Sequence, residues 1–81
     1  MSEKTMGAII TMLRHARGMT QIELAERLSG VVGLQQPKIS AIENGTFEPT
    51  AGQMHHILKA LEATPQDRQR VMTLAGRMAV R

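Results

Sequence analysis

The chain of 81 residues contains no cysteine and only one aromatic residue, Phe47. Without cysteine no disulfide framework can form, and a reducing, intracellular compartment fits that composition. Aromatic side chains form the stacking platforms that hold single-stranded nucleic acids, so their near absence disfavours that mode of binding. The apolar runs are too short to span a bilayer, and the N-terminal residues lack the pattern of a signal peptide. We therefore expect one small cytoplasmic domain without membrane contact.

Most of the chain also carries no net charge. Residues 1–63 carry six basic and six acidic side chains, so the net charge of +3 comes from residues 64–81. Neutralisation of phosphates supplies most of the sequence-independent affinity of proteins for duplex nucleic acid. A binding site within residues 1–63 would therefore need dimerisation, or the basic C-terminal segment, to hold such a ligand firmly.

Two short helices are predicted between residues 20 and 45. Thr20 is a good N-cap, and Glu23 completes a capping box three residues later. The first helix then runs over Gln21–Leu28, with apolar residues at helical spacing. Those apolar positions are Ile22, Leu24, Ala25 and Leu28.

The second helix begins at Gln35 or Gln36 and ends at Gly45, with Pro37 in its first turn, where a missing N–H costs little. A helix this short is stable only when it packs against another element. Its apolar residues Ile39, Ala41 and Ile42 must therefore dock on the first helix. The exposed face then carries amide, ammonium and hydroxyl groups, which can pair with base edges and phosphates. These groups belong to Gln36, Lys38 and Ser40.

The segments TQIELAERL and QPKISAIENG, joined through a glycine-containing turn, resemble the Cro/repressor-type (xenobiotic-response-element type) helix-turn-helix family. The resemblance covers approximately residues 6–63, and residues 63–79 resemble the region that follows the motif in actinobacterial regulators. It implies an all-α, compact five-helix domain like that of lambda repressor, spanning residues 1–81, with the helix-turn-helix at the second and third helices. It also implies double-stranded DNA as the partner, bound at the nucleoid. The missing net charge of residues 1–63 adds the expectation that the protein binds as a homodimer.

Residues of the second helix of the motif are expected to contact bases, because the N-terminal part of this helix enters the major groove. The amide of Gln36 suits a bidentate contact with adenine, Lys38 can reach guanine or a phosphate, and Ser40 is a weaker candidate. At two further positions only apolar contact, for example with a thymine methyl group, is possible. These positions are Pro37 and Ala41. Ordinary solvated surface is the alternative for Gln36 and Lys38.

Phosphate contacts are expected at both ends of the motif. Thr20 and Gln21 lie at a helix N-terminus, where backbone and side-chain donors point outward. Gln35 and Asn44 flank the reading helix. The resemblance further implies a partly buried ion pair that joins the first helix to the third, formed by Arg14 and Glu43. A solvated arginine is the alternative.

The turn departs from the family pattern. Aligning Gly33, Leu34 and Gln35 with the usual turn leaves Ser29 to Val32 as an insertion. The insertion could form an exposed loop, or it could lengthen the preceding helix by one turn. In either case Leu34 is expected to pack beneath both helices.

Three more helices are predicted. Residues 1–5 are expected to be frayed before a helix over Met6–Ala16, which is followed by a helix from Thr50 to about Glu62 and one from Thr64 to about Ala79. The last helix could pack back on the first. It could instead form a dimer contact or carry its arginines to DNA. A membrane-bound amphipathic helix is the weakest alternative, because aromatic anchors are absent.

Other functions find little support. His55 and His56 are neighbours on a helix and diverge by about 100°, so they cannot clamp one metal ion. No nucleophile with a base and an orienting group is visible, and Asp67, the only aspartate, suits a helix start. We therefore expect no catalytic residue, no metal and no cofactor. The preferred interpretation is a sequence-specific transcriptional regulator that binds double-stranded DNA. The main alternative is an antitoxin or another interaction module with a protein partner, and a second domain could follow residue 81.

Overall fold

The computed structural model describes residues 5–79, with side chains up to residue 74. Within this range the chain forms five helices and no strand, in agreement with the predicted all-α fold. The helices are α1 (Met6–Ala16), α2 (Gln21–Arg27), α3 (Gln36–Asn44), α4 (Ala51–Ala60) and α5 (Pro65–Ala79). Thr5 was expected to be frayed, but its hydroxyl accepts a hydrogen bond from the Ala8 N–H at 3.1 Å and so caps α1. Residues 1–4 lie outside the described residues.

Reciprocal capping boxes start three of the helices. In each box the threonine hydroxyl accepts from a backbone N–H three residues later, and the side chain there accepts from the threonine N–H. These interactions are local in sequence, which explains why the helix starts could be predicted. The pairs are Thr20 with Glu23, Thr50 with Gln53 and Thr64 with Asp67.

Left-handed residues end α1, α3 and α4. Gly18 has φ 67° and Gly45 has φ 82°, as expected for glycine after a helix. The same position after α4 is filled by Glu62, a residue with a side chain, at φ 54°. Arg17 stabilises this end by donating to the carbonyl oxygens of Leu61 at 2.9 Å and Glu62 at 2.7 Å. The helix therefore ends at Ala60, two residues earlier than predicted.

The core lies between α3 and the helices on either side of it. α3 contributes Ile39 and Ile42, both almost fully buried, which pack with residues of α1, α2 and α4. The prediction for α2 was wrong at Ile22, which is 60% exposed. Ile22 precedes Leu24 by two residues and so points about 200° away from that buried side chain. The buried apolar residues are Met6, Ile9, Ile10, Leu13, Met19, Leu24, Leu28, Leu34, Ile39, Ile42, Met54, Ile57, Leu58, Leu61 and Val71.

A glycine lets α1 approach α3 closely. A Cβ atom on Gly7 would lie 2.5 Å from the carbonyl oxygen of Ile42 and 2.6 Å from that of Glu43. Such distances are too short for a carbon atom against backbone oxygen. The absence of a side chain at Gly7 thus sets how near the C-terminal turn of α3 comes to α1.

The insertion in the turn is a loop. α2 ends at Arg27, with Leu28 as its C-cap, so the alternative of a longer helix is excluded. Val32 at the tip is 91% exposed, whereas Leu34 is 1% exposed and packs in the core as predicted. Gln53 of α4 supports the loop by donating from Nε2 to the Val32 carbonyl at 3.3 Å.

α5 packs against α1. Val71 is fully buried and Leu74 is partly buried against the core. This agrees with the alternative in which the helix completes the domain. Arg70 lies 4.0 Å from Asp67 within the helix, while the side chains of Arg77 and Arg81 lie outside the described ones. Among residues 5–79 no helix combines the length and the apolar character needed to cross a bilayer.

Candidate functional site

The outer face of α3 carries all five side chains that were predicted to contact bases. Gln36 and Lys38 are half-buried at the start of the helix, and Pro37 beside them is exposed. Ser40 and Ala41 follow one turn later and are half-buried. On the opposite side Ile39 and Ile42 hold the helix to the core. The helix therefore presents a short, mainly uncharged polar surface.

Lys38 has a partner that the sequence analysis did not identify. Its ammonium nitrogen lies 4.0 Å from the centroid of the Phe47 ring, within the range of a cation–π interaction. Phe47 follows α3 in the connecting loop and packs against the core. The ring therefore holds the only lysine of α3 at the edge of its outer face.

A line of hydrogen bonds runs from this face into the protein. The Gln36 amide donates from Nε2 to Oε1 of Gln21 at 3.1 Å. Gln21 in turn donates from its own Nε2 to Oε1 of Glu43 at 3.0 Å. The first residues of α2 and α3 are thus joined to each other and to the end of α3.

Glu43 is held by the predicted ion pair with Arg14, which the structure confirms. Arg14 Nε lies 2.7 Å from Glu43 Oε2, and Nη2 lies 3.0 Å from Oε1, so the contact is bidentate. Arg14 is 8% exposed and also donates from Nη1 to the Met19 carbonyl at 2.8 Å. The Thr11 hydroxyl lies 3.0 Å from Glu43 Oε1. One arginine therefore connects α1 to α3 and to the segment before α2.

Arg14 and Glu43 each stabilise the charged form of the other. Burial raises the pKa of Glu43, but hydrogen bonds from Arg14, Gln21 and Thr11, together with the arginine charge, outweigh it and bring the pKa below its ordinary value. The hydrogen bond to Glu43 raises the pKa of Arg14 despite its burial. Both groups are therefore charged at neutral pH, and the carboxylate acts only as an acceptor.

The residues predicted to contact phosphates differ in how free their donors are. The Thr20 N–H is occupied by the Glu23 carboxylate at 2.8 Å. Both ends of the Gln21 side-chain amide have protein partners, as described above. Gln35 and Asn44 are exposed, and Gln35 makes no side-chain capping bond although it is the N-cap of α3.

Few cations surround this surface. Arg14 is committed to Glu43, Arg17 to the end of α4, and Lys38 to Phe47. The neutral charge of residues 1–63 thus becomes a nearly neutral surface around α3. An electrostatic hold on a polyanion would be weak there.

A metal site finds no counterpart in the described residues. No group of three histidine, aspartate or glutamate side chains between residues 5 and 74 is arranged to hold an ion. His55 and His56 are both exposed, and their rings stand edge to face with centroids 5.7 Å apart.

Comparison with known proteins identifies this architecture. The family model of the helix-turn-helix domain matches residues 5–71, which is most of the chain and includes all of α1 to α4. Searches of curated proteins and of solved structures found no match. The segment around α2 and α3, with its ion pair to α1, lies within the matched region. The chain therefore belongs to the helix-turn-helix domain family, and the partner that this family supports is DNA.

Proposed function

We propose that the protein is a sequence-specific transcriptional regulator of the Cro/repressor type, with residues 1–81 forming one unit that binds double-stranded DNA. α3 enters the major groove and reads base edges with Gln36, Lys38 and Ser40. Pro37 and Ala41 offer apolar contact beside them. A regulator of this kind acts on DNA in the cytoplasm, at the nucleoid.

The observation that carries the proposal is the position of Gln36. It stands at the first residue of α3, half-exposed, and its amide is held by Gln21 rather than moving freely. A side chain that is held before binding loses less conformational entropy when it binds. A fixed amide at the tip of a short docked helix is well suited to recognise one base pair.

Phosphate contacts are assigned to Gln35 and Asn44 through their exposed side chains. At the start of α2 they are assigned to the hydroxyl hydrogen of Thr20 and to the second hydrogen on Nε2 of Gln21, which the bonds described above leave free to donate. The near-neutral surface argues for two copies acting together, because a single domain neutralises few phosphates. We therefore infer a homodimer that binds two half-sites. With few direct readers on each α3, DNA shape contributes to the choice of site.

Selection of duplexes from a random pool, read by sequencing, tests the proposal. We expect an inverted repeat with half-site centres separated by about one helical turn, roughly 10–10.5 bp. A pool that stays random after repeated rounds would contradict sequence-specific binding.

Two matched glutamine variants test the assignment of roles. Gln36→Ala should abolish the preference at one position of each half-site, because it removes the reading amide. Gln35→Ala, its neighbour, should weaken binding to all sequences by a similar factor, because a phosphate contact carries no base information. The same loss of preference in both variants would mean that the reading residue is misassigned.

A further inference from the structure

We infer that Phe47 determines specificity, because its ring positions the ammonium group of Lys38 for contact with a guanine in the major groove. Phe47 need not touch DNA for this, so it is a positioning residue for the base reader Lys38. Lys38 is the third residue of α3, near the end of the helix that enters the groove. This role rests on the proposed function, in which α3 reads base edges, and it names the base that Lys38 selects.

The Phe47 ring is fixed beside α3 by the chain that carries it. After the helix the chain folds back, and the backbone N–H groups of Thr46 and Phe47 donate to the Ala41 carbonyl oxygen at 2.9 and 3.3 Å. The Thr46 hydroxyl donates to the same oxygen at 3.2 Å. The ring itself packs against the buried core. Its position is therefore set by the backbone and the core, and not by the lysine.

Among residues 5–74, the Lys38 ammonium has one partner, the Phe47 ring. The nitrogen lies 4.0 Å from the ring centroid, and it forms no ion pair or hydrogen bond with the described side chains. Glu43, the acidic residue of α3, is bonded to Arg14 instead. A lysine side chain is long and flexible, so its ordering on binding costs conformational entropy. The contact with the ring supplies part of that order before DNA binds.

The ammonium keeps donors for DNA while it lies on the ring. An ammonium group has three N–H donors and no acceptor, and only one side of it faces the ring. In the major groove guanine presents two acceptors, N7 and O6, whereas adenine presents the acceptor N7 beside the donor N6. The positioned ammonium of Lys38 therefore matches guanine. At adenine it meets an N–H group with which it cannot pair.

The ring also holds the ammonium away from a competing contact. Phosphates line the groove and carry negative charge, so a free lysine side chain is drawn to them. A phosphate contact contains no information about the base. Removal of the ring should therefore shift Lys38 from reading a base to sequence-independent binding, and the preference for guanine should fall.

The test measures the ratio of binding to two duplexes. The first is the selected duplex, and the second carries adenine in place of the guanine at which Lys38→Met loses its preference. For the unaltered protein we expect about tenfold tighter binding to the guanine duplex. In Phe47→Leu, which keeps an apolar side chain but has no ring, the ratio should fall to about two or three. Phe47→Tyr keeps a ring and should keep a ratio of about ten.

A double variant shows whether Phe47 acts through Lys38. In Lys38→Met the ratio should be about one, and adding Phe47→Leu should leave it there, because no ammonium remains to be positioned. Lys59→Met, at an exposed lysine of α4, is the matched control and should keep the ratio of the unaltered protein. A general loss of stability weakens binding to both duplexes alike and so leaves the ratio unchanged.

The outcomes distinguish the role of Phe47 from the proposed function. No selected duplex for the unaltered protein would overturn the proposed function, and the role of Phe47 with it. A selected duplex whose guanine preference is unchanged in Phe47→Leu would overturn the role of Phe47 alone. So would a Lys38→Met variant that binds all duplexes more weakly by one factor, because Lys38 would then contact a phosphate.

Discussion

The two sides of the α2–α3 pair are built in opposite ways. On the side facing α1, polar groups are buried and each is paired, from Arg14 through Glu43 to Gln21. On the side of the connecting loop, Val32 is left in solvent, Leu34 is buried in the core and Val31 packs partly against it. The side facing α1 fixes where α3 lies, while the loop only has to connect α2 to α3. The comparison teaches that an insertion can be accommodated where contacts are few, beside a network that admits little change.

The largest effect is expected from breaking the ion pair. Glu43→Ala leaves the buried Arg14 without a counter-charge, which should lower the free energy of unfolding by about 3–5 kcal/mol. Chemical denaturation monitored by circular dichroism measures the loss. Glu48→Ala, at an exposed glutamate of the following loop, is the matched control and should change little. Equal stability of the two variants would contradict the role assigned to the pair.

Low pH should also destabilise the unaltered protein, because it protonates Glu43. Because the pKa of Glu43 is lower in the folded state than its ordinary value of 4.5, its contribution is complete above that value. It is lost as the pH falls through the folded pKa, since the unfolded chain then binds more protons. Melting temperatures between pH 7 and pH 2 should fall in the unaltered protein. They should fall less in Glu43→Gln, which has no carboxylate to protonate there.

Leu34 is expected to be the most sensitive position of the loop side. Leu34→Ala removes a side chain that is 1% exposed and should cost about 2–5 kcal/mol. Val32→Ser, two residues earlier and 91% exposed, should stay within about 0.5 kcal/mol of the original stability. Denaturant midpoints of the two variants measure the difference. A large loss in Val32→Ser would show that the loop tip packs against something in solution.

One added methyl group on each side, the side facing α1 and the side of the loop, tests how tightly each is packed. Gly7→Ala should destabilise by about 1–3 kcal/mol, because the new Cβ meets the backbone oxygens of α3 at 2.5 and 2.6 Å. Gly30→Ala, in the loop, meets no atom within 4 Å and should be neutral or stabilise by up to about 1 kcal/mol. Thermal melts of both variants measure the effect. Similar melting temperatures would mean that α1 and α3 can move apart without penalty.

A smaller loss of stability is expected from a substitution at Gly33 in the loop. Gly33 has φ 83°, a left-handed conformation that a residue with a side chain adopts at a cost of about 1–2 kcal/mol. Gly33→Ala should therefore destabilise more than Gly30→Ala, although the two glycines are three residues apart. Gly33→Asn, which tolerates this conformation better, should recover part of the loss. Equal melts of the alanine variants would contradict a rigid turn at Gly33.

Much of the fold could be predicted because its signals are local. α1, α3 and α5 have the expected bounds, since caps such as Thr64 with Asp67 and stops such as Gly45 act within a few residues. The ion pair between Arg14 and Glu43 came from the family resemblance and is confirmed. Ile22 was assigned to the apolar face because its type fitted a pattern, but no element among residues 5–79 buries it, and it is 60% exposed.

The sequence predicted which side chains lie on the surface of the site, but not which of them bond to one another. The outer residues of α3 follow from which of its side chains must be buried. That Gln21 would bond to Gln36 and Glu43 depends on distances between residues that are far apart in sequence. The same is true of Lys38 over Phe47.

The sequence by itself determined where the helices begin, where α1, α3 and α5 end, most of the apolar positions of each helix, and that residues 1–63 carry no net charge. Only the tertiary structure decided that Arg17 caps the end of α4, that Gly7 touches α3, and that the Gln21 amide bonds to the carboxylate of the ion pair. The physical reason is the distance along the chain over which each kind of interaction acts. Capping and helical periodicity act over three or four residues, whereas close contacts and hydrogen-bond direction arise only when distant segments pack together.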